Sequence, residues 1–309
     1  MWRAGQPDME QFVQQLVNGL MVGSTYAVVA LGFGLVFSVM RVVNLAHPEI
    51  FMVGAYVAFV VITGLHVSGE GLGVLAGVAL FLAVLLVAML ATGAAGLVLE
   101  RLVIRPTRGT YILVPFIATA GVSIALQNSA QRLFGPDPVR VPSVIPPHTF
   151  TLSGVQVTSM QLTTFLTAVA IMLALGYYVH RTRWGRATRA VAEKPDVAAA
   201  CGVNVNLVSQ LTVSIAAMMA GAAGVALGLL YTSAAPFMGS LFGLKSFICM
   251  LVAGNRHIEA IMAVGLLLGV VEALVTGYIS SNLRDAVAFA VLLAVLFFRP
   301  QGLFGSYEV

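Results

Sequence analysis

Charge is what this chain has least of. Lys, Arg, Asp and Glu make up 9% of its 309 residues, and 59% are hydrophobic; a soluble domain carries roughly 25% charged residues. Most of such a chain cannot face water, so it reads as an integral membrane protein. Cysteine is nearly missing as well. Cys201 and Cys249 are too few and too far apart for a disulfide framework, and the five histidines show no metal-ligand spacing. There is no G-x-x-x-x-G-K-S/T loop to cradle ATP phosphates, no G-x-S-x-G elbow and no paired catalytic aspartate motif, which leaves a membrane-embedded enzyme poorly supported. Lysine appears twice against fourteen arginines. The basic residues cluster in a way that sets orientation in a membrane and does not suggest nucleic-acid binding. The opening MWRAGQPDMEQF has no basic stretch followed by an apolar core and a small-residue cleavage site, so no cleaved signal peptide is expected.

What is present is a series of apolar runs near the 20 residues that a helix needs to cross hydrocarbon. They lie at about 12–40, 49–66, 72–99, 110–133, 160–180, 206–231, 260–279 and 284–298, with a shorter piece at 241–253. The expected fold is an all-α, polytopic transmembrane bundle of eight or nine spans forming one transmembrane domain. The first run is longer than one crossing requires, and the glycines of ALGFGLVFSVM predict a break or a tilt within it. The piece at 241–253 suits a half-helix lining a cavity. Arg101, Arg105 and Arg108, and then Arg181, Arg183, Arg186, Arg189 and Lys194, mark cytoplasmic ends. The Pro-rich segment 134–159 between them is then external, and the alternation in HTFTLSGVQVT predicts a β-hairpin. Arg256, His257 and Arg299 fall inside if 241–253 completes a crossing, which puts the N-terminus outside and the C-terminus inside. GLVFSVMRVVNLAHPEIFMVGAYVAFV and GLLYTSAAPFMGSLFGLKSFICMLVAG share an order of helix, Pro-containing break and Gly-rich helix, the mark of an inverted repeat. Gly221, Gly224 and Gly228, and Gly265 with Gly269, supply faces for close helix packing. Glu272 and Thr276 continue the second face.

The densest polar cluster lies between the first two runs, in RVVNLAHPEIF. Arg41, Asn44, His47 and Glu49 stand around Pro48, which starts a helix. The N-terminus of that helix would point free N–H groups into the break and could meet a carboxylate. Asn44 and His47 would add hydrogen bonds, and Glu49 would cap the dipole or meet an ammonium group. Equally, the whole turn could be a loop at the cytoplasmic surface. Lys245 and Glu272 are intramembrane ionisable groups, which either pair or line a path. Thr119, Ser123, Gln127 and Gln131 recur every fourth residue, as a hydrogen-bonding stripe between helices or as a wall of that path. The candidate path residues are Asn44, His47, Glu49, Ser123, Gln127, Lys245 and Glu272.

Segment 185–206 is the most polar internal stretch. Pro195 and Asp196 start a short helix over DVAAAC, and Gly202 ends it. It suits either a lipid-surface element or a docking knob. Here NLAHPEIFMVGAYVA, RAVAEKPDVAAACGV and GYISSNLRDAVAFAVLLAVLFFRPQGLFG, in that order, resemble the membrane permease subunits of branched-chain amino-acid ABC transporters, over about residues 12–305. The resemblance implies an importer of a small solute across the bacterial inner membrane, with branched-chain amino acids first and urea, short amides or small organic acids as alternatives. It implies a second related permease, two cytoplasmic ATPase subunits that use ATP and Mg, a periplasmic solute-binding protein and contact with membrane lipid, with no cofactor bound by this chain. The ATPase-coupling loop maps onto Glu193, Pro195, Asp196, Ala198, Ala199 and Gly202, with Asp196 and Val197 standing where the family pattern has Glu and Ala. Pro48 stands where the family has Gly, and AGNRHIEAI (253–261) replaces a Gly-rich turn. The competing class is an ATP-independent secondary transporter or channel, which would leave 185–206 without a purpose.

Overall fold

The computed structural model describes residues 9–65, 73–111, 113–152, 154–254 and 258–304. In hydrocarbon an unpaired backbone amide costs several kcal/mol, so apolar runs satisfy themselves as helices. The chain runs α1 (Met9–Met40), α2 (His47–Leu65) and α3 (Val74–Leu99). A π-helical turn (Glu100–Ile104) and the one-turn α4 (Arg105–Thr107) extend α3, and α5 (Leu113–Phe134) follows. Next come β1 (Val139–Arg140), β2 (Thr149–Leu152), β3 (Val155–Thr158), α6 (Ser159–Arg181), α7 (Arg183–Glu193) and α8 (Pro195–Ala200). The last part is α9 (Val205–Leu230), β4 (Ser233–Ala234), α10 (Met238–Ala253), α11 (Ile258–Tyr278), a 3-10 turn (Ser281–Leu283) and α12 (Arg284–Phe298). Among the described residues eight helices are long and apolar enough to cross a membrane, and α10 is a shorter apolar helix. At 16 residues α10 is about 24 Å long, short of the hydrocarbon thickness.

The two ends of the bundle differ. At one end β2 pairs antiparallel with β3, and β1 with β4. Gln14, near the start of α1, bonds both backbone groups of Gln156 in the hairpin, at 2.9 and 2.7 Å. At the other end Val39 from α1, Val191 from α7, Ala198 from α8 and Val208 from α9 form an apolar cluster under the arginine-rich surface. Leu303 donates to the Val252 carbonyl there, at 2.7 Å. The start of α1 therefore lies at the hairpin end and residues 302–304 at the basic end.

Helices α1 and α9 are the most buried spans, and α5 and α12 the least. Packing repeats with exchanged roles: α1 lies on α11 as α9 lies on α3, α10 lies on α1 as α2 lies on α9, and α2 packs on α3 as α10 on α11. Helix α1 runs from the hairpin end to the basic end and α9 runs back. The triplets α1–α3 and α9–α11 thus form an inverted repeat, and their short members, α2 and α10, meet each other.

The break expected in the first run is absent, since α1 is continuous over 32 residues. Gly32 makes room instead of a bend: a Cβ there would come within 2.7 Å of His47 Nε2. Close approach also explains the glycines between helices. Gly54 of α2 lies on the Gly221 backbone of α9, Gly224 lies under the Phe51 carbonyl, and Gly269 of α11 sits against Gly23 of α1. Replacing Gly224 with Val should lower thermal stability in detergent, by about 1–3 kcal/mol from overpacking. Gly176→Val, where an added Cβ meets nothing within 4 Å, should leave the melting temperature nearly unchanged. Equal melting temperatures for the two variants would contradict this packing.

Candidate functional site

The stretch that joins α1 to α2 turns back into the bundle. Arg41 adopts a left-handed φ of +54° and is exposed at the basic end, where its guanidinium reaches the Ala192 carbonyl of α7 at 3.5 Å. Six residues later the chain is deep. The His47 ring packs edge-on to Phe33, with centroids 4.5 Å apart, and lies against Gly32. That is eight residues up α1 from Met40, or about 12 Å. Asn44, His47 and Glu49 are 2%, 1% and 1% exposed. The alternative that made this whole turn a surface loop therefore fails for these three buried side chains; of the four, Arg41 alone is exposed. Helix α2 starts inside the protein.

Its N-terminus is not open to an anion. Asn44 Oδ1 accepts from Ala46 N at 3.0 Å, and the Asn44 carbonyl accepts from His47 N. The Ala46 carbonyl takes both Glu49 N and Ile50 N. Leu45 N donates to Thr119 Oγ1 of α5 at 3.2 Å, and Pro48 has no N–H to offer. The free backbone donors expected at this break are all taken, by the turn itself or by Thr119 of α5, so the carboxylate-binding role expected for them is corrected. The unpartnered buried atoms are side-chain ones: Asn44 Nδ2, His47 Nε2 and Glu49 Oε2.

Glu49 is the centre of one polar cluster. Its Oε1 accepts from Gln127 Nε2 at 2.8 Å, Ser123 Oγ at 3.2 Å and Ser240 Oγ at 3.4 Å. Gln127 also donates to Ser240 Oγ at 3.1 Å. The cluster ties α5 to the starts of α2 and α10. Those two helices can cross here because Gly239 and Gly243 of α10 lie directly on Pro48, leaving no room for a side chain. Gln131, the last member of the α5 stripe, is half-buried and joins no part of this cluster.

Lys245 and Glu272 meet in a second cluster, 2% and 1% exposed. Lys245 Nζ lies 2.8 Å from Glu272 Oε1 and 2.7 Å from Asp285 Oδ1. Arg284 Nε is 3.2 Å from Glu272 Oε2, which also accepts from Tyr26 OH at 2.9 Å. Two cations and two anions balance, and the network clamps α1, α10, α11 and the start of α12. Sequence reasoning missed Ser240, Tyr26, Arg284 and Asp285. The adjacent charges Arg284 and Asp285 at the head of an apolar run were the available signal. Ser240 and Tyr26 gave none, since a lone hydroxyl in a span is ordinary.

At the basic end α8 is a compact knob. Pro195 opens it and Asp196 lies in its first turn. Val203 N returns to the Ala198 carbonyl and Gly202 N to the Ala199 carbonyl, a Schellman cap with Gly202 at φ +84°. Glu193, Pro195, Asp196, Val197 and Ala199 are exposed, and Ala198 is buried. The basic stretch before it is helical (α7), capped by Thr182 Oγ1 on Gly185 N at 2.9 Å. Nearby, the buried Glu100 of the π-turn pairs with Arg108 at 3.3 Å. Burial holds the Arg108 pKa below its usual value, with Glu100 opposing that shift. Of the turn at 253–261, Arg256 and His257 lie outside the described residues, while Glu259 is exposed and faces His180 at 3.7 Å.

Eight helices of spanning length among the described residues, with two short helices meeting inside an inverted repeat, make this a multi-pass membrane protein. The family model described as branched-chain amino acid transport system / permease component matches residues 15–296, and the chain belongs to that family. It is 38% identical over 307 residues to the high-affinity branched-chain amino acid transport system permease protein BraD of Pseudomonas aeruginosa, covering 98% of this chain and 99% of that one. It is 37% identical over 303 residues to the permease protein LivH of the corresponding Escherichia coli K12 system, covering 96% and 97%. No solved structure matches.

Removing one member of a buried charge network costs about 3–5 kcal/mol, because the partners stay buried and uncompensated. Glu272→Leu should therefore destabilise the purified protein strongly. Lys245→Met combined with Glu272→Leu restores charge balance through Arg284 and Asp285 and should recover part of the loss. Additive losses in a thermal-unfolding double-mutant cycle would contradict the network.

Proposed function

We propose that this chain is one of two permease subunits of an ATP-driven importer that carries branched-chain amino acids across the bacterial inner membrane. Hydrolysis belongs to two cytoplasmic ATPase subunits, and a periplasmic solute-binding protein delivers the solute. The basic end faces the cytoplasm, following the positive-inside rule, so the hairpin and the start of α1 face outward. Helix α8 is the element that the ATPase grips, through the exposed Asp196, Val197 and Ala199.

The observation that carries this reading is the keying of α8 into the bundle. Ala198 is buried with Val39, Val191 and Val208, so a push on the knob moves the inner ends of α1, α7 and α9 together. Helices α1 and α9 are the most buried spans, and α2 and α10, which begin at the Glu49 cluster, pack against them. Helix α5 makes few contacts with the rest and is tied at its middle by hydrogen bonds to Leu45 and Glu49. Parting α5 from α2 and α10 opens the way past Glu49. The names of the similar proteins support branched-chain amino acids as the solute, ahead of urea, short amides and organic acids.

Gly202→Val forces a side chain into a left-handed position at a cost of about 1–2 kcal/mol, and Asp196→Lys reverses the charge on the knob. In the reconstituted complex each should reduce binding-protein-stimulated ATP hydrolysis about tenfold, equivalent to 1.4 kcal/mol of lost docking, with the permease still folded. Wild-type stimulation in both variants would remove α8 from this role.

A further inference from the structure

We infer that the Glu49 carboxylate is the group in the translocation path that reads the α-ammonium of the transported amino acid. This rests on the amino-acid reading above and goes beyond it by naming the recognising atom. Two kinds of buried carboxylate occur in this bundle, and they differ in one respect. Glu272 and Glu100 each have a cation partner. Among the described residues Glu49 has none within ion-pair distance. Three neutral donors converge on its Oε1, and its Oε2 is buried without any partner. A carboxylate so placed is stabilised in part by hydrogen bonds and lacks only a positive charge, which in a low-dielectric surround is the most valuable addition.

The donors already show the shape of what is missing. Ser123, Gln127 and Ser240 arrive from two other helices, as the N–H groups of an ammonium would arrive from one nitrogen. Ser240 is exposed and Gln127 half-buried, so the pair that covers Glu49 is also the pair next to open space. Phe237, Leu241 and Leu244, at helical spacing at the start of α10 on either side of Ser240, are exposed and offer an apolar wall beside the carboxylate for an aliphatic side chain. The same chemistry selects among solutes. An organic acid without an amine is repelled by Glu49, and urea or an amide gains no charge pairing there. A zwitterion places its cation on Glu49 and its side chain on the wall.

The test uses the whole transporter in proteoliposomes with its binding protein and ATP. A hydrophobic carbodiimide labels buried membrane carboxyls, and the peptide carrying Glu49 is read by mass spectrometry. Leucine present during turnover should slow labelling of Glu49 about tenfold, the scale of one charge-assisted hydrogen bond. 4-Methylpentanoate, which is leucine without its amine, should not. Labelling that leucine leaves unchanged, or that both compounds slow equally, overturns the assignment. Glu49→Gln keeps the volume and the hydrogen bonding but not the charge, and should raise the leucine KM for uptake about tenfold or more. An unchanged KM also overturns the assignment, and if the variant does not assemble the labelling of the wild-type complex decides alone. Wild-type complex that takes up no leucine with ATP would sink the amino-acid reading itself; uptake with an unprotected Glu49 sinks only this inference.

Discussion

Two helices of this protein begin inside it, and everything else in the site follows from making that tolerable. A helix start exposes backbone N–H groups, and in a dry apolar interior each one left bare costs several kcal/mol. The chain solves the problem at α2 mostly by local means: an Asn44 side chain that caps Ala46, carbonyls of Asn44 and Ala46 that take three further N–H groups, and a proline that has no N–H to satisfy, while Thr119 of α5 takes the Leu45 N–H. Glycines at 239 and 243 then let α10 come down onto Pro48 itself. The crossing of two short helices is thus built from a capped turn on one side and missing side chains on the other.

Polar side chains around that crossing divide by charge. The Lys245, Arg284, Glu272 and Asp285 network is neutral as a whole, is drawn together at 2.7–3.2 Å and, with Tyr26 bonded to Glu272, joins four helices, so it reads as a clamp. The Glu49 cluster is uncompensated, joined by single hydrogen bonds from weakly packed α5, and lies next to exposed residues. One cluster holds the bundle together and the other waits for a cation. Of the two readings of Lys245 and Glu272, pairing is the one their 2.8 Å contact supports.

The spans were plain in the sequence because membrane helices announce themselves by hydropathy alone; the observed limits fall within a few residues of those read from composition. The glycines of α1 predict a break or a tilt, and the helix is unbroken, because glycine serves close approach as well as bending and only the partner, here the His47 ring against Gly32, decides between them. The polar residues of the site were also visible one by one. Their grouping was not. Nothing in the order of residues says that Glu49 meets Ser123, Gln127 and Ser240, which lie 74, 78 and 191 positions away, or that Lys245 turns its back on Glu49 to meet Glu272. The anion site expected at the start of α2 failed for a related reason: a helix N-terminus binds ligands only where its own turn has left donors unused, which depends on the fold of six residues and not on the presence of Pro48.

If ATP-driven motion at the basic end parts α5 from the crossing at Glu49, a tether across that seam must stop transport. Cysteines at Gln127 and Ser240, with Cys201 and Cys249 replaced, can be joined by a short bifunctional methanethiosulfonate and released by reductant. The account predicts that the tether stops ATP-driven leucine uptake in the reconstituted transporter and that reductant restores it. Uptake that continues at the untethered rate with the cross-link complete would contradict it.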